Sequence, residues 1–279
     1  MIAARFLRSL FFALGLTSIA AGVYAQAQPA AKPFEPQVGQ QGKDVIWVPT
    51  PQSLVDKMLD IAKLTPSDYL IDLGSGDGRT VITAARRGAR ALGIEYNPDM
   101  VELSKKNAEM AGVAGKANFT KADLFESDFS QATVITMFLL PSINLKLRPK
   151  ILDLKPGTRI VSNTFTMAEW EADETASVND ESAGTWRTAL LWIVPAKVEG
   201  NWQSPQGELA LKQSFQMVSG TLKSGADTVA IANGKLRGDQ ISFTAGGAAY
   251  SGRVVGNEIK GTVKSGSNSS AWEVSRAAR

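Results

Sequence analysis

The sequence predicts an α/β domain with a doubly wound sheet, followed by a small all-β C-terminal domain. Three observations carry that expectation. An apolar strand at Tyr69–Leu73 runs into alternating glycines and then a helical pattern. Strand and helix patterns alternate from there to about residue 194. Beyond Glu199 the chain becomes rich in Gly, Ser and Thr, with short alternating strands. At 279 residues there is room for one mid-sized domain and one small one.

Taken in order, residues 1–25 read as an export signal. Arg5 and Arg8 form a positive region, residues 10–16 begin an apolar core, and Val23-Tyr24-Ala25 places small residues before a cut that leaves Gln26 first. The apolar stretch is short and interrupted by Thr17, Ser18 and Gly22, which favours cleavage over a lasting membrane anchor. The expectation is therefore an exported, periplasmic protein with no stable membrane span after cleavage. Residues 26–42, rich in Gln, Ala and Pro, read as a flexible linker.

The α/β domain is expected over 43–198. Val48-Pro49-Thr50-Pro51 precedes a helix whose apolar face is Leu54, Val55, Met58, Leu59 and Ala62. Thr50 suits the N-cap and Pro51 the first helical position. This element reads equally as a well-capped packing helix or as a loop closing over a ligand. The next segment is Leu70-Ile71-Asp72-Leu73-Gly74-Ser75-Gly76-Asp77-Gly78-Arg79, in which Gly74, Gly76 and Gly78 allow a sharp turn and close backbone approach to a ligand at the start of a helix over 80–87. The spacing is G-x-G-x-G, and Arg79 stands where the dinucleotide fingerprint needs its third glycine. Asp72 suits a cationic ligand better than a pyrophosphate.

Two further carboxylates follow. A strand over 91–94 ends at Glu95-Tyr96-Asn97, and a strand over 117–121 ends just before Asp123-Leu124. Three successive strands thus carry an acid at their C-terminal ends, the edge where open α/β sheets bind ligands. A helix over 98–111, capped by Asn97 and stopped by Gly112, comes next in that series. A strand over 133–138, a helix over 144–154, the turn Lys155-Pro156-Gly157, and strands over 158–163 and 186–194 complete the domain. Phe138, Leu139 and Leu140, at the end of the fourth strand, suit either core packing or an apolar lip beside a substrate.

The β domain is expected over 199–279. It holds an internal repeat: Gly234-Lys-Leu-Arg-Gly238-Asp239-Gln-Ile241 recurs 18 residues on as Gly252-Arg-Val-Val-Gly256-Asn257-Glu-Ile259. Gly238-Asp239 and Gly256-Asn257 suit two-residue hairpin turns, and Phe243, Tyr250 and Trp272 can fill one face of a small meander or barrel. With no clustered chemistry, this domain reads as a structural appendage ahead of a partner-binding module.

Composition narrows the chemistry. The chain has no cysteine and no histidine, which excludes thiol catalysis, disulfides, Cys/His zinc sites and Ser-His-Asp hydrolysis, and no metal site is expected. Lys and Arg number 30 against 27 Asp and Glu, a net +3 with two of the positive charges in the expected signal, so nothing argues for nucleic acid as a partner.

The Asp72–Gly78 loop with Glu95 and Asp123 resembles the class I S-adenosylmethionine-dependent methyltransferases, over about residues 44–197. The resemblance implies a Rossmann-like methyltransferase sheet, with one antiparallel strand at its end, and S-adenosyl-L-methionine as cofactor. It implies that Asp72 meets the cofactor's amino-acid end and that the backbone of Gly74, Ser75 and Gly76 lies against methionine and ribose. Glu95, followed by Tyr96, would hold the ribose hydroxyls, and Asp123 the adenine amino group, with Leu124 packed on the ring. Val48-Pro49-Thr50-Pro51, the glycine loop and Glu95-Tyr96-Asn97-Pro98 together resemble the protein-lysine methyltransferases that modify the c-ring protein of ATP synthase and the adenine nucleotide translocase. That implies a protein substrate, with Pro49, Thr50, Pro51 and Phe138 positioning it. The fourth strand's end lacks the Asn-Pro-Pro-aromatic pattern of methyltransferases acting on nucleobases or glutamine.

Two function classes stay open. One is a methyltransferase acting on protein lysine, with a small-molecule or lipid amine as the alternative acceptor. The other is a non-catalytic exported binding module. The intact acids favour the first; an export signal on a protein whose cofactor is made in the cytosol favours the second.

Overall fold

The computed structural model describes residues 34–181, 184–204 and 207–277. The expected signal segment and the first part of the expected linker, to residue 33, lie outside the described residues. The rest of that linker is not a tether. Residues 39–47 form a small hairpin in which the Gly39 N–H donates to the Trp47 carbonyl (2.8 Å), Trp47 N–H to Gln40 (2.9 Å) and Gly42 N–H to Val45 (2.9 Å). Composition alone missed it: Gly39, with φ of 87°, makes the turn at 37–40 that leads into the hairpin, and Val45 packs against the core behind it.

The α/β domain runs α1 (Gln52–Ile61), β1 (Tyr69–Leu73), α2 (Arg79–Arg86), β2 (Arg90–Glu95), α3 (Pro98–Met110), β3 (Ala117–Lys121), β4 (Val134–Met137), α4 (Pro141–Leu152), β5 (Arg159–Asn163), β6 (Glu174–Ser177) and β7 (Thr188–Ile193). Its sheet order is β3-β2-β1-β4-β5-β7-β6. The first five strands are parallel, and β7 is antiparallel to both its neighbours. The antiparallel strand is therefore second from the edge rather than at the end. The edge strand β6 was not foreseen, because Glu-Thr-Ala-Ser is short, polar and largely exposed.

Alternate residues of each strand serve opposite faces. Leu70, Val134, Val161 and Leu191 pack under α1, α2 and α3 through Leu54, Leu59, Val81 and Val101. Ile71, Ile135, Ile160 and Trp192 pack on the other face with Ile143, Leu147 and Ile151 of α4. Each such side chain, fully buried, contributes about 1.5–3 kcal/mol. Helix α4 starts three residues before its expected position, because Pro141 supplies a ready-made φ for the first turn.

The C-terminal domain runs β8 (Gly200–Ser204), β9 (Gly207–Ser214), β10 (Met217–Ser224), β11 (Asp227–Ala230), β12 (Ala232–Arg237), β13 (Gln240–Ala245), β14 (Ala248–Val255), β15 (Glu258–Ser265) and β16 (Asn268–Arg276). Strand β16 pairs with β8, and β9 with β10, so the antiparallel sheet closes into a barrel with β11 hung outside on β10. Closure removes the exposed edges an open meander would leave. The repeat forms two hairpins turning at Gly238-Asp239 and Gly256-Asn257, with glycine φ of 63° and 57°. Phe243 stacks on Tyr250 (4.8 Å between centroids), and Trp272 meets both edge-on. Glycines also let strands approach closely: a Cβ at Gly261 would lie 1.9 Å from the Ser251 carbonyl.

The barrel docks at the lower edge of the α/β sheet. Gly238 lies against Gly157, just before β5, and its carbonyl accepts from Ala196 N–H (2.8 Å). Phe215 stacks on Trp170, and Gln216 Nε2 donates to the Glu171 carbonyl (2.9 Å).

Candidate active site

A cavity of about 450 Å³ opens over the C-terminal ends of the parallel strands. Its lining runs from Gln40 to Trp186, so the barrel takes no part in its wall.

The glycine loop forms its floor. Gly74, Gly76 and Gly78 have φ of 77°, 53° and 83°, so side chains there would be strained. Their N–H groups are already used: Gly74 and Ser75 donate to the Ile94 carbonyl, Gly76 to Glu95 Oε2 (3.0 Å) and Gly78 to the Ser75 carbonyl. The loop therefore offers room and shape rather than a row of free donors. Helix α3 clamps it from below, Ser104 Oγ donating to the Gly76 carbonyl (2.8 Å) and Asn107 Nδ2 to that of Asp77 (3.0 Å).

Asp72 is buried beside the loop and accepts a hydrogen bond from Thr136 Oγ1 (2.7 Å) on the adjacent strand β4. Burial pushes its carboxyl up to about 7. The Thr136 bond opposes that rise, and the nearby Glu95 and Asp77 charges add to it. Such a group invites a cationic partner. Glu95, at the end of β2, braces the turn by accepting from Gly76 and from Asn97 N–H (2.9 Å). Asp123 accepts from Phe125 N–H (2.9 Å) and forms an ion pair with Lys43 of the hairpin. The hydrogen bond from Lys43 is the main reason its carboxyl lies below the usual range. Lys43 also stands 4.9 Å from the ring centre of Tyr96, a half-exposed wall residue, and Leu124 packs partly buried beside Asp123. Ser75 lines the cavity too, although its buried Oγ has no hydrogen-bond partner among the described residues.

The expected substrate-side residues divide. Pro49, Thr50 and Phe138 line the cavity, whereas Pro51 does not. The helix begins one residue later than expected, with Pro51 as the N-cap of α1 and no side-chain cap. Thr50 is occupied elsewhere: its Oγ1 accepts from Asn163 Nδ2 (3.3 Å) and its carbonyl from Arg79 Nη1 (3.0 Å). Leu139, buried against Gly74, and Leu140, 43% exposed, both line the cavity as well. Phe138 meets two rings unforeseen in the sequence, Phe165 and Trp186. Lys43 and Trp47 were also missed. Trp47 Nε1 lies where a Cβ on Gly76 would come within 2.6 Å, so the hairpin presses directly on the loop. Only the adjacency of Val-Ile-Trp to the Pro-Thr-Pro element hinted at that contact.

The half of the cavity over β1–β3 fits S-adenosylmethionine. It presents a buried acid for an ammonium, a carboxylate with open lone pairs for a diol, a third acid for an aromatic amine, and a glycine floor that admits no side chain.

Comparison with known proteins agrees. The family described as ANTKMT methyltransferase domain matches residues 72–174. A protein-lysine N-methyltransferase from Saccharolobus islandicus (strain REY15A) is 42% identical over 153 residues, covering 54% of this chain and 94% of the relative. The adenine nucleotide translocase lysine N-methyltransferase of Mus musculus is 34% identical over 119 residues, and the match spans 42% of this chain and only 52% of that protein. A crystal structure of an RNA methyltransferase from Salinibacter ruber, bound to S-adenosyl-L-homocysteine, superposes with a TM-score of 0.51 at 48% identity, covering 54% of this chain and 96% of that one. With nearly the whole of the Saccharolobus islandicus relative matched, and with a site shaped for the cofactor, the chain belongs to the S-adenosylmethionine-dependent methyltransferases of this family.

Proposed function

We propose that this protein transfers a methyl group from S-adenosylmethionine to the side-chain amine of lysine in a protein. The observation that carries the reading is the division of one cavity into an acidic half over β1–β3 and an uncharged aromatic half over β4, β5 and β7, with no histidine in the chain. In this reading Asp72 receives the cofactor's ammonium, the Gly74–Gly78 turn underlies its methionine and ribose, and Glu95 accepts from the ribose hydroxyls. Asp123 accepts from the adenine amine, beside Leu124 and Tyr96. When bound, the cofactor supplies an electrophilic methyl on a sulfonium. The chain then has to desolvate and align a neutral amine, which asks little of a strong general base. Pro49 and Thr50 narrow the entry against water, and Phe138 offers apolar surface to a lysine's aliphatic stem.

The experiment is incubation of the protein with methyl-labelled cofactor and, separately, an envelope-protein extract and total RNA, followed by mapping of the label. Lysine labelling supports the reading. Label on carboxyl or hydroxyl oxygen, on a small-molecule or lipid amine, or on RNA, the acceptor class named for the Salinibacter ruber enzyme, replaces the acceptor but keeps the reaction class. Tight cofactor binding with no label on any acceptor favours a non-catalytic module. We also propose export, from the sequence of residues 1–25. Fractionation should find a chain starting at Gln26 outside the cytoplasmic membrane, and a soluble cytosolic chain retaining Met1 would defeat that.

A further inference from the structure

The cavity holds a group of side chains to which the reading above gives no cofactor contact. Phe138 follows β4, Phe165 lies just beyond β5, and Trp186 precedes β7, so three neighbouring positions along the sheet each send one ring to the same end of the cavity. The ring centres lie 5.1, 5.5 and 5.9 Å apart, Phe138 and Phe165 stacked at 20° and Trp186 standing edge-on to Phe138 at 65°. All three are only half-buried. A cluster whose purpose was packing would be covered, as Trp170 and Trp192 are.

The backbone is strained to make this arrangement. Thr164, between Asn163 and Phe165, has φ of 59°, and Phe165 N–H donates to the Asn163 carbonyl two residues back at 2.6 Å. That is a tight three-residue turn with a β-branched residue in left-handed conformation, which persists only where surrounding contacts over-determine it. Those contacts are present. Thr164 N–H donates to the Thr188 carbonyl (2.7 Å), Thr164 Oγ1 to Asn163 Oδ1 (2.9 Å), and Asn163 in turn to Thr50. The turn reverses the chain after β5 and sets Phe165 in the cavity wall.

Charge completes the argument. The carboxylates lining the cavity are Asp44, Asp72, Asp77, Glu95 and Asp123, which belong to the hairpin or to the glycine-loop half. In the other half the groups able to favour a cation are ring faces, and clustered aromatic faces bind quaternary and methylated ammonium groups.

We propose that Phe138, Phe165 and Trp186 form an aromatic site for the acceptor nitrogen in its cationic and methylated forms, and so determine which acceptors the enzyme holds. This rests on the amine-acceptor reading above. It assigns the rings a preference for positive charge and for methyl groups on nitrogen, beyond contact with a lysine's aliphatic stem.

The test separates charge from shape. A short peptide carrying Nε-trimethyllysine, and the same peptide with a quaternary carbon in place of that nitrogen, are titrated into the full chain saturated with S-adenosylhomocysteine. The charged peptide should bind roughly threefold to thirtyfold more tightly. Trp186→Ala should remove that preference and Trp186→Phe should restore part of it, with affinity for S-adenosylhomocysteine as the control for folding. Equal affinity for the two peptides, or binding of neither, overturns the proposal. If the labelling experiment finds no methylated lysine while the charge preference persists, the acceptor reading fails and the aromatic cation site stands.

Discussion

Substituting Asp72 by Asn removes a charge that the fold holds under protest, and the consequence can be worked out from its surroundings. In the folded protein the carboxyl is carried to about 7 by burial, against 3.8 for an ordinary aspartate. The native state therefore keeps a proton between those values that the unfolded chain has released. Stability falls as pH rises through this window, with a slope set by the extra bound proton. At 1.36 kcal/mol per pH unit the full effect is about 4 kcal/mol. Roughly 2 kcal/mol is already lost by pH 5, and the loss levels off near pH 8. In Asp72→Asn the side-chain amide still accepts from Thr136 Oγ1 through its carbonyl but cannot ionise. Urea unfolding of the cofactor-free protein from pH 5 to 8.5 should then show Asp72→Asn gaining about 2–3 kcal/mol on the parent across that range. Saturating cofactor should reverse the ranking, because its ammonium would face a neutral amide in the variant. Parallel stability curves for the two proteins would refute the placement of a buried, unpaired carboxyl at this position.

Glu95→Ala should weaken S-adenosylhomocysteine binding roughly tenfold to a hundredfold by calorimetry, on the scale of about 1.5–3 kcal/mol for charged hydrogen bonds. Glu95→Gln should lie between, since Gly76 and Asn97 N–H groups bond different carboxylate oxygens and in Gln one of these becomes an NH2 that faces a donor. Gly93→Ala should cost about 1–3 kcal/mol in urea unfolding, because its Cβ would come within 2.5 Å of Ser75 Oγ and 2.6 Å of the Phe119 ring. Arg159→Met should cost about 1.5–3 kcal/mol at neutral pH by removing a charged hydrogen bond from buried Asp68, which keeps its bonds from Thr133 and Thr65. Burial alone would raise the Asp68 carboxyl, but bonds from Thr133 and Thr65 and the Arg159 charge carry it below 3.8. The parent should therefore keep this stabilisation above the ordinary carboxylate range and lose it as pH falls through the lowered value, a step that Arg159→Met should diminish in acid titration.

Local rules make much of this protein legible in its amino-acid order. The glycines at 74, 76 and 78 need left-handed backbone wherever they fold, and an acid at the end of each of three parallel strands must gather at one sheet edge, so the acidic half of the cavity follows from order along the chain. Asn97 caps α3, and Gly238-Asp239 turns a hairpin, for equally local reasons. What tertiary structure decided was every feature built by partners distant in sequence. Thr50 gave up its capping role because Asn163 and Arg79 reach it from other elements. Residues 39–42 left an apparent tether for the hairpin, and Lys43 and Trp47 just beyond it reached Asp123, 80 residues from Lys43, and Gly76. The polar edge strand β6 exists because β7 had a free side to pair, and the barrel closes because β16 meets β8. The aromatic cluster needed three strand ends from separate parts of the chain and a strained turn at Thr164. Periodicity and turn chemistry report on neighbours a few residues apart. A pairing between distant segments leaves no such trace, because either partner alone looks like an ordinary surface or core residue until the fold brings the two together.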